Sequence, residues 1–308
     1  MPRSRILVVL VVMTLALLTI SVRSIGAQEA TPEATPVPRF TQTVEVDGRG
    51  IGLTCEGSGS PTVVLIGGMS LPADEVWPET VDALSPLTRI CVFERAGMGP
   101  SDPASRLPQT VGDIVADLHA ALAASGEAGP YVPVGFSFGG LTAQLFASTY
   151  PDEVAGLVLV EGAPPGWNIV DLTLAPLPEA EREGLRQEVA GREPPVSTSP
   201  IDYLVSEAQV LAAPPPPAVP TVMVVAGKAA LFPVEGIAMV SDLEGAARFY
   251  LLQAGQARDL GARIVVAEES GHLVPFDQPE IMIAAIEDVV AAVRDPSSWA
   301  LPAANSSP

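Results

Sequence analysis

A serine in a glycine-rich turn is the residue pattern with the clearest chemical meaning in this 308-residue chain. The segment Gly135-Phe136-Ser137-Phe138-Gly139 follows the apolar run Tyr131 to Val134 and precedes a helical pattern from Leu141 to Tyr150. So tight a turn between strand and helix leaves room only for glycine on either side, and it lifts the hydroxyl clear of the sheet. The pattern predicts Ser137 as a nucleophile held between Gly135 and Gly139. The alternative is a Gly-Ser turn that merely starts a helix.

A serine hydroxyl is a weak nucleophile unless a base takes its proton, and the chain has 2 histidines. His119 lies in a helical pattern over residues 113–122, which is typical of a surface or packing histidine. His272 follows Ser270-Gly271, in a loop between the last predicted strand and a predicted helix from Ile281 to Val293. From that loop it can reach the carboxyl ends of parallel strands, where Ser137 also lies. His272 is the predicted base, and a structural loop histidine is the alternative.

Eight short β-rich runs alternate with amphipathic stretches and predict an α/β architecture. The runs with four consecutive apolar residues indicate a parallel sheet with helices on both faces. The first two strands alternate in polarity and are joined by residues 47–50, which predicts an antiparallel hairpin at one edge. The predicted strands are Thr41 to Val46, Ile51 to Cys55, Thr62 to Ile66, Arg89 to Phe93, Tyr131 to Gly135, Gly156 to Val160, Thr221 to Ala226 and Arg263 to Val266.

A long insertion separates the sixth and seventh predicted strands. Residues 162–218 are several times longer than a usual connection in such a sheet, and they end in four consecutive prolines, 214–217. Functional lids are the common reason for an insertion of this length. We therefore predict a cap over the site, with a helix over residues 179–189. A poorly ordered excursion is the alternative.

The two ends of the chain are predicted to lie outside the folded domain. Arg3 and Arg5 precede an apolar run over residues 6–22, and small residues follow, so residues 1–27 read as a secretory signal peptide. The alternative is a retained membrane anchor through residues 6–22. Residues 28–39 read as a Thr/Pro-rich linker, and residues 295–308 as a flexible tail. The protein is accordingly expected to be secreted or held at the cell surface.

Composition limits the remaining classes of function. The chain is 48% hydrophobic and 17% charged, which is the composition of a folded domain with a large core. Its 36 acidic and 16 basic residues give a net charge of −20, so a nucleic-acid backbone would be repelled. Two cysteines and 2 histidines are too few for zinc-finger arrays or cysteine-ligated clusters. We predict no nucleic-acid partner, and a metal site would have to be mostly carboxylate. The serine chemistry set out above implies no metal and no cofactor.

Three motifs together resemble the α/β-hydrolase family over residues 40–294. They are the turn around Ser137, Ser270-Gly271-His272 before Pro279-Glu280, and the segment from Arg95 to Asp102 after the fourth strand. The resemblance implies an α/β-hydrolase fold, with a mostly parallel eight-stranded sheet, helices on both faces and a cap. It also implies an oxyanion hole formed by the backbone N–H groups of Phe138 and Met69. Glycines that only turn the chain are the alternative at the Met69 loop.

The resemblance leaves the third triad member less defined. Members of the family commonly place an acid after the seventh strand, but residues 227–231 hold no carboxylate here. A second location known in the family is the end of the sixth strand, where Glu161 lies. Glu161 is therefore the predicted acid, in the order nucleophile, acid, base. Glu235 and Asp242 are held in reserve, and a structural salt bridge is the alternative role for Glu161.

The resemblance also bears on the cysteines. The strand order of the family places Cys55 beside Cys91, so an exported chain could join them in a disulfide. Two buried thiols are the alternative.

The expected function is that of an exported serine hydrolase that cleaves a small-molecule ester, with an amide as second choice, through an acyl-enzyme on Ser137. A non-catalytic binding protein on the same fold is one alternative, because the acid after the seventh strand is missing. Perhydrolase or haloperoxidase-like activity at the same triad is another. The sequence does not predict the identity of the substrate or the oligomeric state.

Overall fold

The structure is a computed structural model that describes residues 39–167, 200–228, 233–234, 237–238 and 243–299. All eight predicted strands lie in one sheet within these residues. Its strands are β1 (Thr43–Val46), β2 (Arg49–Glu56), β3 (Thr62–Ile66), β4 (Arg89–Glu94), β5 (Tyr131–Phe136), β6 (Leu157–Val160), β7 (Thr221–Ala226) and β10 (Arg263–Ala267). Two short strands, β8 (Pro233–Val234) and β9 (Ile237–Ala238), pair with each other in a separate antiparallel ribbon.

The strands of the main sheet follow the order β1-β2-β4-β3-β5-β6-β7-β10. Only β2 is antiparallel to its neighbours, and every other adjacent pair is parallel. A tight turn at Asp47 and Gly48, with φ of 49° and 77°, closes the hairpin of β1 and β2. The predicted mostly parallel eight-stranded sheet with an edge hairpin is confirmed.

Helices cover both faces of this sheet. The α-helices of the described residues are α1 (Ala73–Val76), α2 (Pro78–Leu84), α3 (Val111–Ala124), α4 (Gly139–Thr149), α5 (Tyr203–Ala212), α6 (Leu243–Leu260), α7 (Val274–Asp277) and α8 (Pro279–Arg294). Two hydrophobic clusters lie on opposite faces, one containing Val64 and Leu118, the other Val63 and Ile286. Adjacent residues of β3 point into opposite clusters, which explains why a central strand is apolar at consecutive positions.

The described part of the predicted insertion includes α5, which packs on the main domain. Ser206 Oγ accepts a hydrogen bond from the Val111 N–H (2.9 Å), and Gln209 Oε1 accepts one from the Gly112 N–H (2.9 Å). These contacts cap the N-terminus of α3 from outside. The rest of the predicted cap, residues 168–199 with the helix expected at 179–189, lies outside the described residues.

The predicted terminal segments lie mostly outside the described residues, which omit 1–38 and 300–308. The described start of the expected tail forms a short 3₁₀ turn, Pro296–Ser298. The Arg263 guanidinium then lies 3.6 Å from the centre of the Trp299 ring. The described start of the predicted tail therefore contacts the domain, and the rest of the tail stays a prediction. Within the described part of the chain, no helix has the length and apolar character needed to cross a bilayer.

Candidate active site

Ser137 lies at the sharp turn between β5 and α4. Its φ is 56°, in the left-handed region that non-glycine residues rarely adopt. A Cβ at Gly135 would lie 2.3 Å from the Gly139 carbonyl oxygen, and one at Gly139 would lie 2.3 Å from the Ile66 carbonyl oxygen. Both positions must therefore be glycine, as the sequence predicts. The Ser137 N–H donates to the Val160 carbonyl (3.1 Å), which ties the turn to the end of β6.

His272 lies between β10 and α7 and brings its imidazole to this turn. Its Nε2 is 2.9 Å from Ser137 Oγ, and its Nδ1 is 3.2 Å from Glu161 Oε2. The tautomer with hydrogen on Nδ1 satisfies both contacts, because Nδ1 then donates to the carboxylate and Nε2 accepts from the hydroxyl. The ring also packs on Phe136, with centroids 5.2 Å apart. The predicted nucleophile and base, 135 residues apart in sequence, thus meet within hydrogen-bonding distance.

Glu161 directly follows β6 and is fully buried. Its φ is 44°, and among the described residues only Asp47 and Ser137 are other non-glycine residues with positive φ. Its Oε1 accepts a hydrogen bond from the Ala226 N–H (2.8 Å), while Oε2 faces His272. A buried carboxylate is tolerated only when such donors replace water. The reserve acids, Glu235 and Asp242, lie outside the described residues.

The predicted oxyanion loop packs directly against the nucleophile. A Cβ at Gly68 would lie 3.3 Å from the Cβ of Ser137. Within the described residues, neither the Met69 N–H nor the Phe138 N–H donates a hydrogen bond to another protein group. Two backbone donors left unused beside a serine hydroxyl are what the stabilisation of a developing oxyanion requires.

The other histidine makes a different set of contacts. His119 stacks on Tyr150 with ring centroids 3.7 Å apart, and its Nε2 is 3.0 Å from Glu153 Oε1. Tyr150 directly follows α4 and Glu153 lies in the turn after it, so His119 packs α3 against the end of α4, as its sequence pattern indicates.

Two parts of the site were missed by sequence reasoning. Gln253 on α6 is buried, and its Nε2 lies 3.4 Å from Glu161 Oε1 and from the Gly162 carbonyl oxygen. Its only sequence signal is its position in line with the buried Phe249 and Ala257, at the four-residue spacing of an apolar helix stripe. The other part is the pair Glu94 and Arg95, which lines a small cavity behind the oxyanion loop together with Leu71, Met98, Ile114 and Thr142.

The two cysteines face each other on neighbouring strands. Cys55 of β2 is in register with Cys91 of β4, and the two sulfur atoms lie 2.06 Å apart, a disulfide distance. Within the described residues, the one grouping of three possible metal-ligand atoms is Cys55, Cys91 and Glu127. Both of its sulfurs are already bonded to each other.

Comparison with known proteins agrees with this fold. A family model for the alpha/beta hydrolase fold matches residues 61–193. The esterase of Thermogutta terrifontis superposes with a TM-score of 0.55 and 22% identity, covering 82% of this chain and 97% of that one. Alpha/beta hydrolase domain-containing protein 10 from mouse superposes with a TM-score of 0.58 and 16% identity, covering 82% and 98%. At these identities the likeness shows the fold alone.

Curated sequences match over shorter stretches. A Cronobacter turicensis protein named "Putative carbamate hydrolase RutD" is 34% identical over 106 residues, which is 34% of this chain and 38% of that protein. The chain spans between 14% and 38% of the length of the curated relatives it matches. The sheet order described above, the family model and the solved structures together show that this chain has the α/β-hydrolase fold.

Proposed function

We propose that this protein is a serine hydrolase that cleaves a small-molecule ester through a covalent acyl-enzyme on Ser137. The observation that carries the proposal is the chain of contacts from Ser137 Oγ to His272 Nε2 (2.9 Å) and from His272 Nδ1 to Glu161 Oε2 (3.2 Å). A hydroxyl, an imidazole and a buried carboxylate in this order are the arrangement that activates serine for acyl transfer. The match to a family of hydrolases supports the same reading.

Acylation follows from these contacts. His272 Nε2 takes the Ser137 proton as Oγ attacks the ester carbonyl carbon, and the carbonyl oxygen becomes an oxyanion. The N–H groups of Met69 and Phe138 stabilise that charge, while Glu161 stabilises the imidazolium. The imidazolium then gives its proton to the leaving alcohol oxygen as the ester C–O bond breaks. An acyl group remains bonded to Ser137 Oγ.

Deacylation reverses the same proton path with water. His272 Nε2 takes a proton from a water molecule whose oxygen attacks the acyl carbon, and the second oxyanion occupies the same two N–H groups. The imidazolium returns the proton to Ser137 Oγ, and a carboxylic acid leaves. The chain's own residues account for every proton moved. An amide would react by the same steps, with the amine as leaving group.

Two further parts of the proposal concern the substrate and the compartment. The substrate is proposed as a small-molecule ester, and the curated relative named as a putative carbamate hydrolase supports hydrolysis of a small molecule. Residues 1–27 are proposed as an export signal, on their basic start, apolar run and small residues. Mass analysis of the protein recovered from the culture medium tests export, because cleavage near residue 27 gives a defined new N-terminus. Recovery of the uncleaved chain in the membrane fraction would support the anchor instead.

Labelling with a fluorophosphonate tests the catalytic proposal. The expected result is a single covalent adduct, mapped to Ser137 by peptide mass spectrometry, together with turnover of p-nitrophenyl acetate. Ser137→Ala should lose both. His119→Gln is the matched control, because it alters the other histidine and should keep both. A folded wild-type protein that is neither labelled nor active would favour a non-catalytic binding protein.

A further inference from the structure

The loop that carries Met69 is held by two adjacent residues at the end of β4. Arg95 Nη2 donates a hydrogen bond to the Met69 carbonyl oxygen (3.0 Å). Glu94 Oε1 accepts one from the Ala73 N–H (2.5 Å), where the loop ends and α1 begins. The loop is thus fixed at the residue that would supply the oxyanion donor and again four residues later.

Outside contacts are needed because the loop has little rigidity of its own. Met69 follows Gly67 and Gly68, whose backbones rotate more freely than those of other residues. Pro72, the residue before α1, makes no side-chain capping bond. Without Glu94 the Ala73 N–H would lose its acceptor. Without Arg95 the peptide group between Met69 and Ser70 could rotate, because its carbonyl would no longer be held.

Glu94 and Arg95 are unusual for charged residues, since each is only 6% exposed. Room for the carboxylate is made by Gly99, which has a φ of 48° and where a Cβ would lie 2.9 Å from Glu94 Oε1. Ser101 Oγ donates to the Glu94 carbonyl oxygen (2.7 Å) and fixes the backbone of the same residue. The segment after β4 is therefore built to hold these two side chains in place.

The electrostatics of the pair indicate the same role. Burial raises the pKa of Glu94 to about 7, although the hydrogen bond from the Ala73 N–H and the positive charge of Arg95 both act to lower it. Burial lowers the pKa of Arg95 to about 10, against the negative charge of Glu94. Arg95 therefore stays charged at neutral pH, and its bond to the Met69 carbonyl is charge-assisted. Keeping two charges buried is costly, so apolar residues would be favoured here if stability alone mattered.

We propose that Arg95 and Glu94 are positioning residues of the oxyanion hole, which hold the Met69 N–H in the orientation that receives the substrate carbonyl oxygen. This inference rests on the proposed function, because it concerns the oxyanion hole of that reaction. In this role neither side chain transfers a proton or forms a covalent bond. They act through the loop backbone, Arg95 at Met69 and Glu94 at Ala73.

Kinetics of four variants, Arg95→Met, Arg95→Lys, Glu94→Ala and Glu94→Gln, test the proposal on p-nitrophenyl acetate. Loss of loop position should lower kcat of the methionine and alanine variants about 10- to 100-fold while KM changes much less, because an oxyanion donor acts in the transition state. The lysine variant keeps a donor and the glutamine variant keeps an acceptor, so both should recover part of the loss. Binding of a trifluoromethyl ketone, which forms an oxyanion on Ser137, should weaken in parallel with kcat.

The control is Asp117→Asn, which alters another mostly buried ion pair, Arg49 with Asp117, away from the oxyanion loop. It should lower stability with kcat unchanged. Folded Arg95→Met and Glu94→Ala variants with wild-type kcat and ketone affinity would overturn the proposal. If those two do not fold, Arg95→Lys and Glu94→Gln decide by the same split between kcat and KM. An inactive wild-type protein would instead overturn the proposed function. An active wild type whose variants keep its kcat and ketone affinity would overturn only this inference.

Discussion

Replacing Glu161 by glutamine is the sharpest test of how the site works. The substitution keeps the volume of a fully buried side chain and removes its charge. In the native site Oε1 accepts the Ala226 N–H at 2.8 Å, and Oε2 faces His272 Nδ1 at 3.2 Å. An amide cannot reproduce both contacts. If its oxygen faces Ala226, its NH₂ faces Nδ1, which then accepts and moves the imidazole hydrogen to Nε2.

That tautomer cannot take the proton of Ser137, because Nε2 already carries a hydrogen. If the amide turns the other way, its NH₂ faces the Ala226 N–H and two buried donors are left opposed. Either orientation also removes the negative charge that stabilises the imidazolium. The expected loss in kcat is roughly 10³- to 10⁴-fold, as for the same change in other Ser-His-carboxylate triads. At about 1.36 kcal/mol per tenfold, this is about 4 to 5 kcal/mol of transition-state stabilisation.

The assay compares kcat on p-nitrophenyl acetate for the wild type, Glu161→Gln and Glu153→Gln. The last variant is the matched control, because Glu153 makes the other carboxylate contact with a histidine seen among the described residues, at His119 Nε2 (3.0 Å). It should keep wild-type kcat. Circular dichroism checks that each variant is folded. A folded Glu161→Gln enzyme with wild-type turnover would show that this carboxylate is structural and that the triad assignment is wrong.

Three other sets of substitutions probe the fold: one at Glu94, one at the two cysteines and one at two helix glycines. The stability gained by Glu94→Gln over the wild type should be up to about 3 kcal/mol larger at pH 8 than at pH 4. The pKa of Glu94 is raised from 4.5 to about 7, so ionising Glu94 in the native protein is costly and wild-type stability falls as pH rises through this range. Denaturant titrations of both proteins at the two pH values measure the difference. Replacing Cys55 and Cys91 by serine should lower the free energy of unfolding by about 4 kcal/mol, because the disulfide closes a loop between residues separated by 36 positions. Detection of two reactive thiols in the denatured wild type without a reducing agent would contradict the disulfide. Gly139→Ala should prevent native folding, because the added Cβ would lie 2.3 Å from a backbone oxygen of β3. Gly255→Ala in α6 should instead stabilise the protein by about 0.5 to 1 kcal/mol, because no atom lies within 4 Å of the added Cβ. Thermal melts of the two variants measure both effects.

Local sequence signals were sufficient to single out Ser137 and His272, which the structure brings within hydrogen-bonding distance. Ser137 is marked by glycines that a tight turn requires, and His272 by its place after the last strand. Both signals depend on a few neighbouring residues and on the rule that the carboxyl ends of parallel strands meet at one edge. The sheet was predictable for the same reason, because apolar runs such as β3 reflect burial on both faces.

The supporting contacts were not predictable in this way. Gln253 reaches Glu161 from 92 residues away, and Arg95 reaches Met69 from another strand. Such contacts depend on side-chain direction and helix placement, which no local pattern specifies. The sequence does show a glutamine on an apolar helix stripe and two adjacent charges at the end of a buried strand. Neither feature identifies the residue that it contacts in the folded protein.

The missing acid after β7 is explained by what that strand provides instead. Residues 227–231 hold no carboxylate, and the sequence analysis predicts the acid at Glu161 instead. In the structure the end of β7 supplies the Ala226 N–H, a donor aimed at Glu161 Oε1 (2.8 Å), and the Glu161 N–H donates in turn to the Val224 carbonyl (2.8 Å). The end of β6 therefore carries the carboxylate that faces the imidazole, and the end of β7 supplies one of its hydrogen-bond donors.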